Sequence, residues 1–194
     1  MQLDEYRLSD DIDFLCASTS GFRQLRERAF ERGMAGLTNS AIPLLRELRA
    51  DQYGIRAVLG TREAPVKFEI VREARIALSA GIDRIANVPL LDRVDLYAEK
   101  LLANADRGLD RSTLHRDLID LYTMHVRWGL VPDAALVKAR AAYGSSIDRA
   151  AEKVTALLRA PGQLRACLDA LQVTTDVALL LESAIALPLI ADGR

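Results

Sequence analysis

The order of patterns along the chain predicts an α+β protein: a small sheet domain over residues 1–90, then a helical half over residues 91–194. Apolar and polar residues alternate in several early segments, whereas from about Leu91 the apolar residues recur at three- and four-residue spacing. Glycine and proline then mark the stops between helical stretches, as at Pro161-Gly162.

Tyr6 to Ala17 reads as a strand with Ile12 and Phe14 on one side and Asp11 and Asp13 on the other. Gly21 to Gly33 reads as a helix, because Phe22, Leu25 and Phe30 lie at near-helical spacing and a glycine closes it. Leu44 to Leu59 is β-like, broken at Gly54. After the turn from Gly60 to Pro65, Val66, Phe68 and Ile70 alternate with Lys67 and Glu69, which predicts a hairpin. Helices are expected from about Leu91 to Arg107 and from His115 to Trp128. One more starts near Pro132, and another runs from Ser145 or Ser146 to Pro161. Gln163 to Leu171 and Thr174 to Ile190 complete the helical half. The sequence carries no internal repeat and no low-complexity tract.

The chain has 194 residues, 50% of them hydrophobic, enough for one sizeable core or for a small α/β domain plus a helical one. A charged fraction of 27% with a net charge of -1 gives no overall basic bias, so any nucleic-acid contact must be local. Only four residues are lysine (Lys67, Lys100, Lys138 and Lys153), so a lysine on a polar helix face stands out. Cys16 and Cys167 are isolated thiols with no C-x-x-C pair and no secretory signal, which predicts a reducing, cytoplasmic compartment. Together with His115 and His125 they do not make up a structural zinc site. The most apolar stretch, Val177 to Ile190, contains Glu182 and Pro188 and falls short of the roughly 20 residues a bilayer span needs. It reads as a buried terminal helix, and no membrane partner is expected.

Asp11 and Asp13, two apart on a strand, point the same way about 6–7 Å apart, close enough to share divalent cations. Glu69 lies on the polar face of another strand. If the two strands are neighbours the three acids converge, which suits a two-metal mechanism of phosphoryl chemistry. A D-x-D alone also describes a solvated strand edge or a turn, and Asp10 beside it fits that reading. In the helical half, Lys100, Asn104 and Arg107 stack at i, i+4 and i+7, and the next helix adds Arg116, Asp117 and Asp120. One reading is a cationic wall for a triphosphate with an acid that orients a base or donor. The other is a salt-bridged solvent face.

Together these residues resemble a family. Ser9-Asp10-Asp11-Ile12-Asp13-Phe14 is similar to the S-x-D-I-D-F element of the nucleotidyltransferase AbiEii/AbiGii toxin family, a branch of the polymerase-beta-like nucleotidyltransferases. Lys67-Phe68-Glu69 resembles its K-x-E strand. Leu91 to Leu102 and Arg116-Asp117-Leu118-Ile119-Asp120-Leu121 resemble its helical K…R-D-x-x-D-L motif. The resemblance covers about Glu5 to Trp128, in the family's order. It implies a polymerase-beta-like sheet domain in which Asp11, Asp13 and Glu69 bind Mg²⁺ or Mn²⁺. Lys100 and Asp117 would act on the nucleotide, with Ser9, Asn104, Arg107, Arg116 and Asp120 in the nucleotide-binding set. It further implies transfer from an NTP to a hydroxyl acceptor, in some cases tRNA, and a role as toxin beside an antitoxin. The family also has a G-G-T or G-S element before the D-x-D strand, where backbone N–H groups can grip triphosphate. Only Met1 to Leu8 precede Ser9 here, without a glycine, so the expectation is either an upstream start or a lost phosphate grip. In the second case the fold would serve as an inactive interaction module for an antitoxin or another partner. A helical scaffold with no nucleotide link is the third reading.

Overall fold

The structure, a computed structural model, describes residues 5–9, 11–39, 41–85 and 87–190. The chain divides into two units: residues 9–78, and residues 5–8 together with 79–190. The boundary therefore falls at 78/79, whereas the change of sequence pattern falls near residue 90.

The sheet unit contains β1 (Asp11–Cys16), α1 (Thr19–Arg32), a 3-10 turn (Gly33–Gly36), β2 (Leu44–Ala50), β3 (Gly54–Gly60) and β4 (Pro65–Arg72). Its four strands are ordered β1-β4-β3-β2. Short turns make β2–β3 and β3–β4 antiparallel, while β1 reaches β4 through α1 and the hairpin and pairs in parallel. In the β2–β3 turn the Asp51 carboxylate accepts from the backbone N–H groups of Tyr53 (2.7 Å) and Gly54 (2.9 Å). Gly60 closes the next turn with φ 90°, and a Cβ there would meet the Ala64 carbonyl oxygen at 2.4 Å.

α1 begins two residues before its apolar pattern, because the Ser18 hydroxyl accepts from Gly21 N–H at 3.0 Å and caps it. Phe22 and Ala29 pack on Ile55 and Ile70, surrounded by Phe14, Leu25, Leu48 and Phe68. The Phe14 and Phe68 rings lie 5.7 Å apart and tilted. The helix thus backs the apolar sheet face, and the acids of β1 and β4 lie on the other.

The helical unit contains the antiparallel pair β5 (Ala80–Ile85) and β6 (Val88–Leu91), then α2 (Arg93–Arg107), α3 (Arg116–Trp128), α4 (Asp133–Tyr143), α5 (Ser146–Leu158), α6 (Gln163–Ala170) and α7 (Thr175–Ala184). The β5–β6 pair has no counterpart in the sequence pattern. Its apolar residues are not buried on one face, and Ile82 is 98% exposed, so no alternation marks it. The last helix stops at Ala184, short of the expected Ile190, just before Pro188, which cannot continue a helix. It is also one-sided: Val177, Ala178, Leu181 and Ala184 are buried, and Leu179 and Leu180 are exposed. Among the described residues no helix is long and apolar enough to cross a membrane.

The expected strand from Tyr6 is corrected as well. β1 starts at Asp11, Asp10 lies outside the described residues, and residues 5–8 belong to the helical unit. Thr174 N–H donates to the Tyr6 carbonyl at 2.8 Å and Leu8 N–H to the Leu171 carbonyl at 3.3 Å. Leu101, Leu102, Leu118, Leu121, Ile147 and Leu158 form the interior of this unit. Leu118→Ala is expected to cost about 3 kcal/mol of stability, read from urea unfolding, because the side chain is wholly enclosed and its cavity cannot be hydrated favourably.

Candidate functional site

In the sheet unit, the β1–β4 register pairs Asp11 with Lys67 and Asp13 with Glu69. Asp11, Asp13, Lys67 and Glu69 therefore share one face, opposite the face packed by α1. The next strand adds Arg56 opposite Glu69, and the Arg56 Nε donates to Glu69 Oε1 at 2.5 Å. Lys67 Nζ stands 3.4 Å from Asp11 Oδ1, and Arg56 also reaches Asp51 at 3.4 Å. Three carboxylates on one small surface repel one another, and these two cations offset part of that cost. Ser9, at the edge of the unit, is exposed.

The donor chemistry of this face fits a hard divalent cation, since all three acids offer carboxylate oxygen. Side chains as they stand do not gather three His, Cys, Asp or Glu groups into a metal-holding cluster among the described residues, and Glu69 is turned onto Arg56. The fit is thus best at Asp11 and Asp13, with Glu69 held by its arginine.

The helical unit holds the other set. Asp117 and Asp120, 1% and 3% exposed, are buried on α3 rather than standing on an open wall. Asp120 accepts from the Tyr6 hydroxyl, from Arg7 Nε (2.8 Å) and Nη2 (3.0 Å), and from Lys100 Nζ (2.5 Å). Asp117 accepts from Arg107 Nε (2.7 Å) and Nη2 (3.0 Å), with Lys100 Nζ at 3.4 Å. Lys100 thus bridges the two acids, and only Lys100 and Arg107 remain substantially open to solvent. Asn104, between them on α2, is buried, and Arg116 is half-buried.

Burial opposes the charge on both acids, yet the carboxyls are held below the ordinary range. For Asp117 the opposing influences are the Arg107 hydrogen bond and the charges of Lys100 and Arg107; for Asp120 they are the charge of Lys100 and the bonds from Arg7 and Lys100. The same enclosure raises the Tyr6 hydroxyl through burial and then the Asp120 charge. These are ion pairs in an enclosed geometry, where mutual attraction is stronger than at an exposed site and taking the charges out of water costs free energy in return.

Sequence reasoning missed Tyr6, Arg7 and Arg56. Arg56 was legible by parity, lying between Ile55 and Ala57 on an alternating strand. Tyr6 and Arg7 carried no such signal, since their partner lies 113 or more positions away. A further enclosed pair, Lys138 with Asp95, ties α4 to α2, and Asp95 also accepts from Ser79 N–H at 2.5 Å.

A four-stranded sheet with carboxylates on the face opposite its helix α1, joined in one chain to the helical unit with α2–α7, makes an α+β protein, the class to which a nucleotidyltransferase-like domain belongs. The sequence matches the family described as nucleotidyl transferase AbiEii toxin, type IV TA system, over residues 1–177, and the chain belongs to that family. Comparison with curated proteins and with solved structures finds no match.

Proposed function

We propose that this protein transfers a nucleotide from an NTP to a hydroxyl of an RNA acceptor such as tRNA, in the cytoplasm and in a Mg²⁺- or Mn²⁺-dependent reaction. The observation that supports it most is the β1–β4 register, which puts Asp11 and Asp13 on one face with Glu69 directly opposite Asp13. In the reaction the acceptor oxygen bonds to the α-phosphorus and the bond to pyrophosphate breaks. Asp11 and Asp13 would hold the cation, which when bound neutralises phosphate charge and lowers the pKa of an attacking hydroxyl. Arg56 keeps the Glu69 carboxylate fixed beside Asp13, and Lys67 balances Asp11. Within the helical unit, Lys100 and Arg107 keep part of their charged groups in solvent and present them to a phosphate, while Asp117 and Asp120 fix their position.

The test is incubation of the protein with each α-labelled NTP, Mg²⁺ or Mn²⁺ and total RNA. Label is expected on an RNA species only when the cation is present. Failure with every NTP and both cations would refute the reading. A second measurement needs no turnover. Saturating Mg²⁺ is expected to raise the melting temperature of the wild type by roughly 5–10 °C and to leave Asp11→Ala and Asp13→Ala unmoved. Without metal the two variants are expected to be no less stable than wild type, because removing either acid relieves repulsion. Equal shifts in all three proteins would remove these residues from the metal site.

A further inference from the structure

In the helical unit each buried acid of α3 already has an arginine of its own. Arg7 meets Asp120 with two parallel bonds, Nε to Oδ1 at 2.8 Å and Nη2 to Oδ2 at 3.0 Å. Arg107 meets Asp117 in the same way, Nε to Oδ2 at 2.7 Å and Nη2 to Oδ1 at 3.0 Å. Two-point pairing of a guanidinium with a carboxylate is among the strong hydrogen-bonded contacts in proteins. The Tyr6 hydroxyl adds a further donor to Asp120. Lys100 is the fifth charge of this group. Its Nζ reaches Asp120 Oδ2 at 2.5 Å, the oxygen that Arg7 Nη2 also holds, and Asp117 Oδ1 at 3.4 Å.

This arrangement decides what Lys100 is able to do. A buried carboxylate that loses its only cation is left as an uncompensated charge, which is strongly unfavourable. If Lys100 were the sole cation on Asp120, it could not turn toward a ligand without that penalty. Arg7 and Tyr6 remove the penalty, because Asp120 keeps three bonds when the ammonium leaves. Arg107 does the same for Asp117, which keeps two. Exposure follows the same division. The Arg7 side chain is 16% exposed and that of Lys100 30%. All three nitrogens of the Arg7 guanidinium are engaged, since Nη1 donates to the Leu8 carbonyl at 3.1 Å. Arg7 is therefore committed to the acid, while Lys100 keeps an open side.

We infer that Arg7 is a positioning residue for phosphate recognition: by carrying the charge of Asp120 it leaves the Lys100 ammonium available to a polyphosphate anion, which Arg7 itself does not touch. The inference rests on the reading above that Lys100 faces the phosphates of an NTP, and it adds the residue that frees Lys100 to do so. Tyr6 supports the same acid without charge and has the smaller part. Without the Arg7 charge, Lys100 becomes the only cation on Asp120, closes onto it and is lost to the ligand.

The experiment is isothermal titration calorimetry of the full chain with inorganic tripolyphosphate, without divalent cation. Lys100→Ala and Arg7→Gln are each expected to weaken binding about tenfold, the effect of one hydrogen bond to a charged group. The Arg7→Gln/Lys100→Ala double variant is expected to bind no more weakly than Lys100→Ala alone, because Arg7 acts through Lys100. Arg7→Lys keeps a cation on Asp120 and should recover most of the loss. Arg7→Gln/Asp120→Asn removes the charge that captures Lys100 and should recover it as well, which a merely structural role of Arg7 would not produce. That variant carries the test by itself if Arg7→Gln does not fold: binding near the wild-type level supports the inference, and binding at the Lys100→Ala level overturns it. Unchanged affinity in Arg7→Gln beside a loss in Lys100→Ala would overturn the inference and leave the phosphate role of Lys100 standing. So would a further tenfold loss in the Arg7→Gln/Lys100→Ala variant. Equal binding by wild type and Lys100→Ala would overturn it together with that role. Absence of nucleotide transfer with these affinity differences intact would refute the transfer reading alone and leave the inference supported.

Discussion

Asp13→Ala is expected to lower the rate of nucleotide transfer by about 10³-fold or more, while the fold stays intact. Asp13 lies directly opposite Glu69 across the parallel pair, and it shares its face with Asp11 two residues away. Taking out one carboxylate of that set removes charge aimed at phosphate in the transition state, and losses of this kind cost on the order of 10²–10³ for a single preorganised group, with more expected where cation binding is lost too. The side chain is exposed, so no cavity forms and the change in stability should stay within about 0.5 kcal/mol. Asp11→Ala is expected to behave alike. Initial rates with labelled NTP, set beside thermal unfolding of the same preparations, check both halves. A rate loss of under tenfold would place the chemistry elsewhere.

Among the charged residues the largest effect on stability is expected at Asp120. Asp120→Ala leaves the Tyr6 hydroxyl, the Arg7 guanidinium and the Lys100 ammonium without their common acceptor. Breaking a buried pair by removing one partner costs about 3–5 kcal/mol. The value here should lie near 3, because Arg7 and Lys100 keep some contact with water and Lys100 retains Asp117 at 3.4 Å. Asp120→Asn, which restores some of the hydrogen bonding but no charge, should lose less. Because the same carboxylate holds residues 6 and 7 to α3, the variant should also be cut there by protease sooner than wild type.

The network sets a pH dependence as well. Asp117 and Asp120 have folded-state pKa values below the ordinary aspartate value of about 3.9, so the unfolded chain binds more protons as pH falls through that region. Their contribution is complete above about pH 5 and is lost progressively below about pH 4 as pH descends toward the folded-state values. Unfolding free energy measured from pH 6 to pH 2 should therefore fall more steeply in wild type than in Asp120→Ala. Parallel curves would show that these acids are not held by their cations in solution.

Much of the candidate site was legible in the sequence because strand geometry is local. The two-residue period puts Asp11 and Asp13 on one side of β1 and Lys67 and Glu69 on one side of β4 whatever the rest of the chain does. Helical spacing likewise places Lys100, Asn104 and Arg107 along one side of α2. Gly33, which closes α1, acts within a few residues of itself and marks that end, whereas the Ser18 cap that starts the helix was not read.

Pairing between distant segments had no local signature. Whether Glu69 meets Asp13 depends on which strand lies beside β1 and in what register, since a slip of one residue would send Glu69 to the face packed by α1. In β2, Arg46 pairs with Val58 and Arg49 with Arg56, and the extra residue between them puts both on the acidic face only because β3 lies alongside in that register. Tyr6 and Arg7 continue the pattern of β1 in sequence, yet they join the helical unit, because Asp120 offers them a buried charge partner that the sheet does not. The sequence by itself determined which residues share a strand or helix face, since that follows from backbone periods of 2 and 3.6. Only the tertiary structure decided which faces meet and which charges are enclosed together, because burial makes an ion pair's geometry depend on segments far apart in the chain.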